Sequence, residues 1–175
     1  TRYPQEVCMS ASNNTLNQEF RTAMRQLAGG VSVITAAYGD DQTGLTATSV
    51  VSISMDPPEL FISVNRSSSS WPVIEKSGKF GINVLQQGQQ VVAEHFSGKG
   101  GRKGADRYAD DDWYQTPDGV WLSRRALVGF ACDVEKVWMH REHALIAGKV
   151  TLINVHAGPQ PLTYWHGHYG SFIQN

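Results

Sequence analysis

Apolar and polar residues change period along this chain, and the changes mark its elements. Leu16, Phe20, Ala23, Met24 and Leu27 recur at helical spacing, and Gly29-Gly30 stops the stretch. Thr15-x-x-Gln18 matches a capping box at its start. β-Branched and small residues fill 31–37, and Gly39-Asp40-Asp41 supplies a turn. Strands are predicted at about 45–54, 60–65, 80–85, 120–123, 127–138 and 144–155. In the fifth of these, Cys132 and Val134 alternate with Asp133 and Glu135, the period of a half-buried strand. Short helices are predicted after Trp71-Pro72, ending at Gly78, and over 89–96. Residues 1–14 read as a flexible arm and 15–175 as one domain. The glycine-rich, basic, then acidic segment 97–112 reads as a mobile loop, with Asp110-Asp111-Asp112 a solvated turn.

Many strands at short spacing with few helices predict a mainly β protein, a closed or Greek-key barrel with a few flanking helices. A chain of 175 residues is long enough to bury a core. Its net charge of -1 argues against nucleic acid as a partner. There is no run of 18 or more apolar residues, so no membrane span is expected. The first 14 residues lack an apolar signal core, which makes the cytoplasm the expected location. Cys8 and Cys132 form no CxxC and are too few for a disulfide framework.

The chemistry concentrates in three places. Thr46, Ala47, Thr48 and Ser49 form a strand of small residues, against which a flat ligand can lie close to the backbone. A second strand empties into Asn65-Arg66-Ser67-Ser68-Ser69-Ser70, whose hydroxyls are the right donors for a phosphate. Together they predict a pocket for a planar, phosphorylated cofactor, with Arg66 or Arg107 adding charge. His140-Arg141-Glu142-His143 precedes the last long strand, and its spacing is no recognised metal motif. Tyr164, Trp165, His166, His168 and Tyr169 are dense enough to line the mouth of a stacking site. The glycines between 98 and 104 precede no apolar helix, so a nucleotide would bind in a non-Rossmann way.

These blocks occur in the order of a known family. The chain resembles the short-chain flavin reductases with an FMN-binding split barrel, the reductase components of two-component flavin monooxygenases. The resemblance spans about 16–173: Leu27-Ala28-Gly29-Gly30, Gly44-Leu45-Thr46-Ala47-Thr48-Ser49, Pro57-Pro58, Asn65-x-x-Ser68-x-Ser70, Phe80-Gly81-Ile82-Asn83, His95-Phe96-Ser97, Asp106-Arg107-Tyr108, the stretch from His143, and Pro161-Leu162-x-Tyr164. It implies a split β-barrel homodimer that binds FMN or FAD near the subunit interface and takes hydride from NADH or NADPH. It places Thr46, Ala47, Thr48, Ser49 and Val50 beside the flavin ring. Asn65, Ser68 and Ser70 fall at the ribityl phosphate. Phe80, Asn83 and Arg107 fall around the flavin tail, Tyr164 and Tyr169 at the mouth, and His143 on the nicotinamide side.

The family's Gly-Asp-His becomes Arg141-Glu142-His143 here, and a local backbone change is expected, since arginine lacks glycine's freedom. Its C-terminal arginine becomes His168. The implied activity is an NAD(P)H:flavin oxidoreductase supplying reduced flavin to an oxygenase partner. Two other readings stand beside it: a flavin-dependent reductase of a bound acceptor such as a cob(II)yrinate-type corrin, and a non-catalytic flavin- or heme-binding module.

Overall fold

Every strand of the main sheet is antiparallel to its neighbours, and three two-residue turns help set its registers. The computed structural model describes residues 13–109, 111–158 and 160–173. Most of the arm expected at 1–14, with Cys8, lies outside the described residues, as do Asp110 and Pro159. The elements are α1 (Asn13–Met24), β1 (Gly29–Gly30), β2 (Ser32–Tyr38), β3 (Asp41–Ala47), β4 (Val51–Met55), β5 (Pro58–Asn65), α2 (Ser70–Ser77) and β6 (Lys79–Val84). There follow α3 (Gln90–Phe96), β7 (Trp113–Gln115), β8 (Trp121–Ser123), β9 (Val128–His140), β10 (His143–Val155), β11 (Leu162–Trp165) and β12 (His168–Ser171). The helix α1 begins before Thr15, so Thr15 is not its cap.

The seven-stranded sheet runs β3-β2-β6-β9-β10-β5-β4. Its two edge strands, β3 and β4, are consecutive in the chain and joined only by Thr48, Ser49 and Val50. Laid flat, the seven strands would hold β3 and β4 about 29 Å apart, at roughly 4.8 Å per strand step. The connection reaches only about 15 Å. The sheet therefore curls until its edges approach, and they make no ladder with each other. The result is a split barrel.

Its interior is one apolar cluster drawn from opposite sides of the sheet, including Ile34, Ile62, Phe80, Ile82, Cys132 and Ile146. Helix α2 touches β2, β3, β5 and β6 and closes the barrel with Trp71 and Ile74. Gly78 ends that helix in the left-handed conformation, as its sequence predicts. A second cluster lies outside the barrel, where Val92, Ala93 and Phe96 of α3 meet Val31, Val33, Leu85, Tyr108 and Leu162. Gly44 on β3 lies under Phe96: a Cβ there would stand 2.6 Å from the ring.

Segment 97–112 departs from the loop expectation. It folds into 3-10 turns at Lys99–Gly101 and Gly104–Tyr108 and buries Tyr108 among Phe96, Trp113 and Trp121. Asp111 is no solvated turn residue. Its carboxylate accepts hydrogen bonds from Gln89 and Ser123, each at 2.7 Å. None of the helices among the described residues is long and apolar enough to cross a membrane.

Candidate active site

A cleft of about 540 Å³ opens beside the end of β3. Three elements build it. From β3 and the residue after it come Thr46, Ala47 and Thr48. The face of α3 that points away from the core contributes Gln90 and Glu94, continued by Ser97 and Lys99. The β11–β12 hairpin contributes Tyr164, Gly167, His168 and Tyr169. That hairpin is fixed to the barrel by β1, which pairs Gly29 with Tyr164, and by the backbone bonds Val31 N to Leu162 O and Leu162 N to Leu85 O, each 2.9 Å.

The walls are chemically distinct. Thr46 commits its hydroxyl to the Ala93 carbonyl at 2.6 Å, which ties β3 to α3 and leaves its methyl and backbone at the cleft. Ala47 borders the cleft and also packs against the barrel core. Thr48, Ser49 and Val50 pair in neither strand register; Thr48 and Ser49 are exposed, and Val50 turns inward against the barrel core. On the far side Tyr164 and Tyr169 are register partners whose rings meet edge to face at 5.1 Å. Burial is the first cause raising the Tyr169 phenol above its ordinary value, followed by the charge of Glu94. Glu94 accepts from Gln90 at 3.0 Å and Lys99 at 2.7 Å, and these bonds, Gln90 first, hold its carboxyl below the usual range.

The other expected residues fall elsewhere. Asn65 accepts from the Ser67 N–H and hydroxyl at 2.9 and 2.8 Å, which shapes the loop ahead of α2. The Ser68 and Ser70 hydroxyls are buried and have no hydrogen-bond partner, and Ser70 is 1% exposed. Phe80 is part of the barrel core. Asn83 is wholly buried, donating to the Val33 carbonyl at 3.3 Å and accepting from Ser123 N–H at 2.8 Å. Arg107 donates to the carbonyls of Gly44 and Arg102, and Tyr108 to that of Thr43, so this segment pins β3 from outside.

His143 opens β10 opposite Asn65 on β5 and His140 on β9, and it does not line the cleft. Arg141 adopts φ 49°, the left-handed conformation that glycine takes most easily, in the two-residue turn between His140 and His143. Arg66 holds this turn, its N–H bonding the Glu142 carbonyl at 2.8 Å.

Sequence reasoning missed Gln90, Glu94 and Lys99. The signal available was the spacing of Gln90, Glu94 and Ser97 on the polar face of a helix whose other face carries Val92, Ala93 and Phe96.

These residues fit a flavin. The cleft is bordered by small side chains at Thr46, Ala47 and Thr48 and by the Tyr164–Tyr169 aromatic pair. A split barrel with such a cleft at its open seam is the class of this protein. Within that class, the chain belongs to the flavin reductase like domain family, whose model matches residues 24–172.

Over 150 residues it is 33% identical to the FMN reductase (NADH) RutF 2 of Methylorubrum extorquens, covering 86% of this chain and 86% of that protein. Over 162 residues it is 27% identical to the 4-hydroxyphenylacetate 3-monooxygenase, reductase component, of Thermus thermophilus, covering 90% and 98%. The solved structure of the flavin reductase PheA2 in its native state matches with a TM-score of 0.81 at 28% identity, covering 90% of this chain and 99% of that one.

Proposed function

We propose that this protein is an NAD(P)H:flavin oxidoreductase of the cytoplasm that reduces FMN or FAD and supplies the reduced flavin to a partner monooxygenase. The observation that carries the reading is the cleft itself: a border at Thr46, Ala47 and Thr48 together with the Tyr164–Tyr169 pair. A bound flavin supplies the ring that accepts hydride. The protein's part is position and charge. Backbone N–H groups at 48–50, free of the strand registers, are placed to donate to the polar edge of a ring on this wall. Tyr164 and Tyr169 exclude water from its outer face. Ser68 and Ser70 offer hydroxyl donors to a phosphate. His143 orients the nicotinamide donor.

The same reading includes a homodimer. His143 stands outside the cleft of its own chain, so its role in the reaction calls for a second copy. Apolar side chains are available for that contact. Val51 on β4 pairs with Phe61 on β5, Phe61 packs against Trp138 at 6.3 Å between ring centres, and Ile53 and Met55 continue the exposed row.

The test is steady-state oxidation of NADH and of NADPH with FMN, FAD and riboflavin supplied separately. Repeated turnover with at least one pair is expected. Flavin binding without turnover would leave the reductase of a separate bound acceptor and the non-catalytic binding module.

A further inference from the structure

Glu94 is the only carboxylate among the described residues that line the cleft. Its side chain is 20% exposed, while that of Lys99, its ion-pair partner at 2.7 Å, is 69% exposed. The bonds from Gln90 and Lys99 both fall on Oε1, and Oε2 takes part in neither. The carboxylate is thus anchored through one oxygen, with the second outside the anchor. The same bonds keep the group ionised by holding its carboxyl below the usual range. Its charge is felt in the cleft, where it follows burial in raising the Tyr169 phenol. The counter-charge on Lys99 stands mostly in water, where screening weakens it. The border of the cleft therefore carries two polarities: backbone N–H groups from Thr48 onward, outside the strand registers, and a fixed carboxylate on α3.

These polarities match the charges that a hydride transfer separates. The C4–H bond of a dihydronicotinamide breaks, and the hydrogen leaves with both electrons to bond to the flavin ring. The flavin gains negative charge, and the nicotinamide is left as a pyridinium cation. We infer that the Glu94 carboxylate stabilises the positive charge that develops on the nicotinamide as the hydride leaves. The inference rests on the flavin reductase reading of the cleft. A fixed carboxylate beside the flavin ring would oppose its reduction, so the useful place for this charge is at the donor. The reduced donor ring is neutral and the cation appears only as the hydride departs. The interaction therefore favours the transition state over the bound donor. Because Gln90 and Lys99 already hold the group, it needs no reorganisation when the charge forms.

The experiment compares the wild type with Glu94→Gln, which keeps the size of the side chain and removes its charge. Both proteins are loaded with FMN or FAD, and a thermal melt confirms an unchanged fold. Calorimetry measures the affinity of the oxidised dinucleotide and of its tetrahydro analogue, an unreactive donor with an uncharged ring, in the NAD or NADP form that turns over faster. Stopped-flow mixing measures the limiting rate of flavin reduction. In the variant the oxidised dinucleotide is expected to bind about fivefold more weakly, with the analogue and the flavin within about twofold of the wild type. The limiting reduction rate should fall about tenfold. Equal losses for the two dinucleotides would make Glu94 a contact to a part that they share and overturn the inference. So would an unchanged reduction rate, or a loss of flavin affinity. A wild type that binds neither FMN nor FAD would instead sink the flavin reading of the cleft, a separate result.

Discussion

Thr43 on β3 and Ser69 ahead of α2 meet hydroxyl to hydroxyl at 2.9 Å. This contact joins the strand that walls the cleft to the loop that carries Asn65, Ser68 and Ser70. The two segments therefore cannot shift independently. With Tyr108 bonded to the Thr43 carbonyl at 2.6 Å, the junction is held from both sides.

The two buried hydroxyls beside that junction give the first prediction. Ser68 and Ser70 have no protein partner, so replacing both with alanine breaks no internal hydrogen bond. The thermal midpoint of the flavin-free variant is expected to hold or rise. Affinity for FMN and FAD should fall by about 1.5–3 kcal/mol for each lost charge-assisted bond, with riboflavin spared. Equal losses for all three flavins would remove these hydroxyls from the phosphate.

Ala47 tests the wall. It lines the cleft beside Thr46, whose hydroxyl is committed to the Ala93 carbonyl. Ala47→Leu should place a branched side chain where the ring lies and abolish flavin binding in a protein that still folds. Fluorescence titration with flavin reads this directly, and a wild-type curve would move the ring to another surface.

Asn83 separates a structural role from a binding one. Its amide joins β2 to the end of β8 in full burial. Asn83→Ala should destabilise the fold by about 2–4 kcal/mol, because it leaves a buried carbonyl and N–H without partners. Urea unfolding measures it. A variant of wild-type stability with weakened flavin binding would assign Asn83 to the tail instead.

His143→Ala should raise the KM for NAD(P)H and slow flavin reduction, with flavin affinity little changed. Stopped-flow reduction of prebound flavin measures the rate against donor concentration. Because His143 lies outside its own cleft, an Ala47→Leu chain that binds no flavin, mixed with the slowed His143→Ala chain, should restore faster reduction through hybrid dimers. An unchanged reduction rate in the single variant would take His143 out of the reaction.

Cys132 sets an alkaline limit. Burial, and then the charge of Asp133, push its thiol up from 9.0 to about 12. Above pH 9 the unfolded chain ionises this thiol while the folded one does not. The stability that the neutral thiol contributes is complete below pH 9 and is lost as pH rises toward 12, at about 1.4 kcal/mol per pH unit. Cys132→Ala should flatten the decline of urea midpoints over pH 9–11. An identical slope would assign the decline to other groups, of which buried Tyr108, also raised by burial, is the first to examine.

The sequence by itself determined most of the strands and the chemistry of the site. Alternation around Cys132, the Gly39-Asp40 turn and the glycine at 78 are local signals, and the structure repeats them. The small wall at Thr46, Ala47 and Thr48 and the hydroxyl-rich loop were legible for the same reason: their chemistry is carried by neighbours in the chain. The tertiary structure alone decided which of these meet. Curling of the sheet across the 48–50 connection opened the seam there. Docking of α3 turned Gln90 and Glu94 into cleft walls. The Gln89 and Ser123 donors, 22 and 12 residues from Asp111, converted an apparently solvated acid into a buried acceptor. Contacts of that separation leave no period in the sequence, because they depend on how the strands are ordered in the barrel. The same ordering keeps His143 apart from Ala47 within one chain.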